Sequence, residues 1–182
     1  MAIYSVGHST RSLDELVKLL QGHEVRVLAD VRTAPGSRRL PQFGRGSLAA
    51  ELPARGIVYV HLPELGGFRR PRPDSRNTAW RNESFRGYAD YMESREFQAG
   101  LDRLLSLQEG PAGPRAVAMM CAEAVPWRCH RSLIADALLA RGVTVQHIVG
   151  AGRAQPHALT RFARVDGTDT YYPGLDTLQF DG

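Results

Sequence analysis

Residues 116–141 read AVAMM-CAEAVPWRCHR-SLIADALLAR, and this stretch decides the fold. Ala116 to Met120 is a continuous apolar run of strand length, and Ser132 to Arg141 carries apolar residues at helical spacing. Between them, Cys121 to Arg131 gathers both cysteines of the chain with Glu123, Arg128, His130 and Arg131. A strand that passes through a polar turn into a helix is the repeating unit of a parallel α/β sheet. Ligands in such sheets bind outside the carboxyl ends of the strands, so the turn is a candidate active-site loop.

Working outward, Ala2–Val6, Val25–Val31, Ile57–Leu62 and Val143–Val149 have strand composition. Leu13, Leu16, Val17, Leu19 and Leu20 fall at helical spacing behind Ser12, with Glu15 completing a capping box. Ser47–Arg55 reads as a short helix whose last turn is marked by Pro53, and Phe85–Tyr91 and Glu96–Leu107 as further helices. Glu64 to Asn82, with Gly66-Gly67, Pro71 and Pro73, has the composition of a long irregular loop, and long loops in compact domains are functional lids or disordered segments. The expectation is an α/β fold, a mostly parallel sheet of about five strands with helices on both faces. Phe162–Val165, Asp166-Gly167 and Thr168–Tyr172 add a small C-terminal hairpin on a type I′ turn. Residues 1–150 form the α/β domain carrying the site, and residues 151–182 an appendage packed on it.

At 43% hydrophobic and 23% charged residues, the 182-residue chain is globular, and no apolar stretch approaches the roughly 20 residues that span a bilayer. No membrane partner is expected. The first residues enter a strand without the basic start and apolar core of a signal peptide, so the expected location is cytoplasmic. Two cysteines in that compartment are thiols, ligands or core residues more often than a disulfide. The net charge is +4, but Arg32 to Arg86 holds 11 arginines against Glu51, Glu64, Asp74 and Glu83. That span carries +7, either an anion-binding region or a solvated basic face.

On this framework His8 and Ser9 follow the first strand, Asp30 and Arg32 end the second, His61 and Glu64 end the third, and Cys121 and Glu123 end the fourth. Strand ends of a parallel sheet lie side by side, so these residues are expected to converge on one cleft. Glu123, His8, His61, Cys121, Cys129 and Asp30 are the catalytic candidates, and Ser9, Arg32, Arg38, Arg39, Glu64, His130 and Arg131 the substrate- or anion-binding ones. A carboxylate beside Pro126 and Trp127 can be desolvated and tuned as an acid, base or nucleophile. Cys129, His130 and Arg131 stand at a helix start, where amides and dipole favour anions and lower a thiol pKa. Each has a structural alternative: a cap for His8, an ion pair with Arg32 for Asp30, packing for His61, Cys121 and Cys129.

Standard local motifs fit poorly. A phosphatase loop needs five residues between cysteine and arginine, whereas six separate Cys121 from Arg128. Ala29-Asp30-Val31-Arg32 is similar to a segment of rhodanese-like sulfurtransferases, yet their active-site cysteine loop has no close counterpart. Cys121, Cys129, His130 and His8 give only a weak metal signal, because tetrahedral sites show paired ligands at short spacing. Glycine-rich phosphate loops are absent, and the sequence names no cofactor.

The segments Tyr4-Ser5-Val6-Gly7-His8-Ser9, Asp30-Val31-Arg32 with Pro35 and Ser37-Arg38, Pro41-Gln42-Phe43, His61-Leu62-Pro63-Glu64-Leu65-Gly66-Gly67, and Cys121-Ala122-Glu123 with Pro126 and Cys129-His130-Arg131 carry a family resemblance. Over most of residues 2–150 the chain resembles the bacterial family designated domain of unknown function 488. The resemblance implies one compact α/β domain with those polar residues as signature elements, and it assigns no reaction. The residues themselves point to an enzyme acting on a phosphate-bearing substrate, a nucleotide or nucleic acid, by hydrolytic or transfer chemistry. The alternative is a non-enzymatic nucleic-acid-binding or regulatory module using the arginine-rich span 32–86.

Overall fold

The computed structural model describes residues 2–175. A central six-stranded sheet is built from β1 (Ile3–Gly7), β2 (Val25–Asp30), β3 (Val58–His61), β6 (Ala116–Cys121), β7 (Val145–Ile148) and the short β8 (Gln155–Pro156). Its order is β3-β2-β6-β1-β7-β8. The first five are parallel neighbours and β8 runs antiparallel to β7, so the segment expected to be an appendage supplies a sixth, edge strand. Helices α1 (Leu13–Gly22), α2 (Arg45–Glu51), α3 (Glu83–Tyr91), α4 (Arg95–Ser106) and α5 (Arg131–Ala140) connect the strands. Two small hairpins, β4 (Glu109–Gly110) with β5 (Gly113–Pro114) and β9 (Arg164–Asp166) with β10 (Asp169–Tyr171), stand outside the sheet.

Helices cover both faces. Leu16, Val17 and Leu20 of α1 and Leu48 of α2 pack with Val6, Leu28, Ala118 and Met120 on one side. On the other, residues of α3, α4 and α5 pack with Val27, Ala29, Val117, Met119 and Cys121. Successive strand residues therefore alternate between two cores, as the period of two requires. Every residue of α5 from Arg131 to Leu138 is buried. No helix among the described residues is long and apolar enough to cross a membrane.

The Ser12 capping box forms as expected: the Glu15 amide donates to the Ser12 hydroxyl at 3.1 Å and the Ser12 amide to the Glu15 carboxylate at 2.8 Å. Pro53 opens a 3₁₀ turn after α2. The C-terminal hairpin differs from expectation by one residue, because Asp169 pairs with Asp166 and the turn is Gly167-Thr168. Only Gly167 has positive φ (61°), so the turn lacks the two left-handed residues of type I′ and resembles type II′, with glycine first. Residues 176–182 of the expected appendage lie outside the described residues.

Candidate functional site

Strand alternation divides the polar residues at the carboxyl edge into two groups. Gly7 is in register with Cys121, and Met120 with both Val6 and Asp30. Cys121 shares its face with Val117 and Met119, on the side of α5, whereas Asp30 and His8 fall on the side of α1 and α2. The expected single cleft is thus two clusters back to back across the sheet edge.

In the cluster on the α1 side Asp30 and His8 are buried, while Arg32 also reaches the wall of the cavity described below. Asp30, 0% exposed, accepts from the Arg32 amide (3.1 Å), Arg32 Nε (2.9 Å), an Arg32 terminal nitrogen (2.6 Å) and the Tyr59 hydroxyl (2.7 Å). Arg32 also donates to the Phe43 carbonyl and toward His8 Nε2 at 3.3 Å. Because Arg32 can only donate, His8 Nε2 accepts, and His8 Nδ1 carries the proton it gives to the Ser9 carbonyl at 2.8 Å. His8 stacks on Phe43 with ring centroids 4.3 Å apart. Burial, helped by the neighbouring Arg32 charge, lowers the His8 pKa from its ordinary value. The residue expected as an acid-base catalyst is therefore a neutral ring held inside an ion-pair network.

The cluster on the α5 side opens into a cavity of ≈ 420 Å³. Cys121 at the end of β6 and Cys129 and His130 at the start of α5 line it, with Glu123 and Arg128 from the intervening loop and Phe68, Phe85 and Tyr88 from the opposite wall. The donor atoms of Cys121, Cys129 and His130 all lie within 4.8 Å of one another. His130 Nε2 donates to the Val31 carbonyl at 2.9 Å, which turns Nδ1 toward the Cys129 sulfur, 3.5 Å away. Both thiols are free and buried. The hydrogen bond that Cys121 gives to the Cys129 sulfur, together with burial, pushes the Cys121 thiol up to about 12. The same bond, aided by the Arg131 charge and opposed by burial, brings Cys129 down to about 6.

The other candidates take different places. Arg131 is 1% exposed and donates to the Ser5 hydroxyl (3.0 Å) and the Glu123 carbonyl (2.6 Å), so it braces the loop from within the fold. His61 Nε2 donates to the Arg32 carbonyl at 2.8 Å. Glu64 pairs with Arg103 at 2.6 Å, away from the cavity. Ser9 adopts positive φ (50°) and bonds the Ala122 carbonyl through its amide. Arg38 and Arg39 are exposed on the loop after β2 and do not line the cavity. Glu123 is exposed and Trp127 is 64% exposed, so the expected desolvation of that carboxylate does not occur.

Phe68, Phe85, Tyr88, Arg128 and Thr33 also line the cavity, although their residue types alone did not mark them as site residues. Thr33 ties the loop to the site by donating from its hydroxyl to the Gly67 carbonyl at 3.0 Å. Of these, Phe68 alone carried a usable signal, an aromatic directly after Gly66-Gly67; it is 90% exposed with φ of 59°.

A family model described as Domain of unknown function DUF488 matches residues 12–138. The chain belongs to this family. The DUF488 match is narrower than the expected 2–150; it spans every residue lining the cavity and leaves His8 and Ser9 outside. Neither a curated protein nor a solved structure matches the chain significantly.

Proposed function

We propose that this DUF488 protein is an enzyme that hydrolyses or transfers a group of a phosphate-bearing substrate, a nucleotide or the end of a nucleic acid, in the cavity on the α5 side. One observation carries the reading: a single cavity presents a thiol–imidazole cluster on its floor and, at its rim, a carboxylate and a guanidinium that form no ion pair among the described residues. Its ≈ 420 Å³ lies within the range of small-molecule sites, roughly 300–1,000 Å³. Arg128 supplies the cation for a phosphate and Glu123 the general acid or base. Phe68 and Phe85 offer ring faces on which a base can stack. Arg32 also lines the cavity, but Asp30, Phe43 and His8 take up four of its five donors, so Arg128 is the better-placed anion binder.

The test is a panel of nucleotides and phosphate esters assayed with wild-type protein, Glu123→Gln and Arg128→Ala. Loss of a general acid–base group is expected to lower kcat by roughly 10²–10⁴-fold with KM little changed. Arg128→Ala is expected to raise KM about tenfold, the weight of one charge-assisted contact. Absence of both turnover and binding across the panel overturns the reading. Binding of nucleic acid without turnover, unchanged in Glu123→Gln and weakened steeply by salt, replaces it with the binding-module alternative.

A further inference from the structure

We propose that Cys121, Cys129 and His130 bind one thiophilic divalent metal ion, zinc by preference, with a fourth coordination position open to the cavity. The distances agree with this. Around tetrahedral zinc, with bonds of about 2.3 Å to sulfur and about 2.0 Å to nitrogen, sulfur and nitrogen ligands stand about 3.5 Å apart. Cys129 Sγ and His130 Nδ1 are already 3.5 Å apart, and all three donor atoms lie within 4.8 Å. The Val31 carbonyl accepts from Nε2 and so aims Nδ1 at the sulfurs; a backbone carbonyl on the far nitrogen is the usual way a metal-binding imidazole is oriented. A Cβ on Gly67 would come within 3.1 Å of Nδ1, so the small residue leaves the nitrogen room.

Two thiolates and one imidazole suit zinc better than the hard cations. Three protein ligands, rather than four, leave the position that catalytic zinc sites keep for water or substrate. His8 does not complete the set, since strand alternation sends it to the opposite face. Charge indicates what occupies the fourth position. Two thiolates neutralise a dication, and the buried Arg131 guanidinium beside Cys129 adds a positive charge with no carboxylate partner among the described residues. A filled site is net cationic and favours an anionic fourth ligand, hydroxide or a phosphate oxygen. The metal proposal deepens the function proposed above and rests on it only for the identity of that ligand.

The experiment is elemental analysis of protein expressed with zinc in the medium and purified without chelator, followed by titration of the chelator-stripped protein with Co²⁺. About one zinc per chain is expected, and about one equivalent of cobalt should bring up a thiolate-to-cobalt charge-transfer band with tetrahedral visible bands. Cys121→Ser, Cys129→Ser and His130→Ala should each cut the metal content at least about tenfold, the weight of one ligand, while His8→Gln leaves it at one. If the variants fail to fold, the wild-type titration decides alone. Wild-type protein with neither metal nor a cobalt band, or with Cys121 and Cys129 joined as a disulfide when purified without reductant, overturns the proposal. Turnover undiminished after metal removal overturns the open fourth position as the place of the substrate and leaves the substrate reading. Stoichiometric metal with no phosphate compound bound or turned over does the reverse.

Discussion

At the scale of single residues, Asp30 and Arg32 show how a catalytic-looking pair is told from a structural one. Exposed ion pairs such as Arg72 with Glu93 contribute about 0–1 kcal/mol each, because water screens them. Asp30 is fully buried, and four donors surround its carboxylate. No acceptor capacity remains for substrate, and removing its charge strands a guanidinium that is 11% exposed. Asp30→Asn is therefore expected to cost about 3–5 kcal/mol in urea denaturation at pH 7. A loss under about 1 kcal/mol would place the pair with the surface bridges and reopen Asp30 as a catalytic candidate.

At the scale of elements, the loop between β6 and α5 depends on one glycine of the neighbouring strand. A Cβ on Gly7 would stand 1.7 Å from the Glu123 carbonyl, the atom that also accepts from Arg131. Gly7→Ala must displace the loop bearing Glu123, and is expected to cost at least about 2 kcal/mol and to weaken cobalt binding as well. Ser12→Ala at the distant start of α1 should cost about 1 kcal/mol and leave cobalt binding unchanged, since only a cap is lost. Equal metal binding in the two variants would show that the β6–α5 loop is not held by its approach to β1. The same elements show what the sequence made legible. Strand ends, helices and the Ser12 cap were readable because period and capping chemistry are local. Which face each strand end served was not, since Ala116 to Cys121 is covered on both sides and reads as one apolar run without alternation. That hid the separation of His8 and Asp30 from Cys121. The placement of Phe68 against that cavity was illegible too, because it comes from a loop without periodicity and only the Gly66-Gly67 before it marked the position. The hairpin register slipped for a tertiary reason: Thr170 and Tyr172 are buried and set the pairing, overriding the Asp166-Gly167 turn cue.

Across the whole molecule, distant parts of the chain meet on one buried carboxylate. Asp136 of α5, 0% exposed, accepts from His157 Nε2 (2.8 Å), the Thr160 amide (2.9 Å) and the Tyr172 hydroxyl (2.8 Å). His157 Nδ1 lies 2.9 Å from His147 Nε2, and His147 Nδ1 is buried without a hydrogen-bond partner among the described residues. Burial chiefly, then the neighbouring His157 and Arg131 charges, lower the His147 pKa from 6.5 to about 4, with Asp136 opposing. A base whose pKa is lower in the folded chain than in the unfolded one binds protons preferentially when unfolded, so its contribution to stability is complete above about pH 6.5 and lost as the pH falls toward 4. A shift of that size corresponds to a loss on the order of 3 kcal/mol across this window, and the lowered pKa of His8 adds to it with the same sign. His147→Gln, which keeps a donor toward His157 but cannot take up the proton, should be less stable than wild type at pH 7.5 by no more than about 1–2 kcal/mol and should overtake it between about pH 6 and pH 5. Urea denaturation of both proteins between pH 4 and 8 reads this directly. Parallel stability curves over that range would mean that His147 carries its proton in the folded chain.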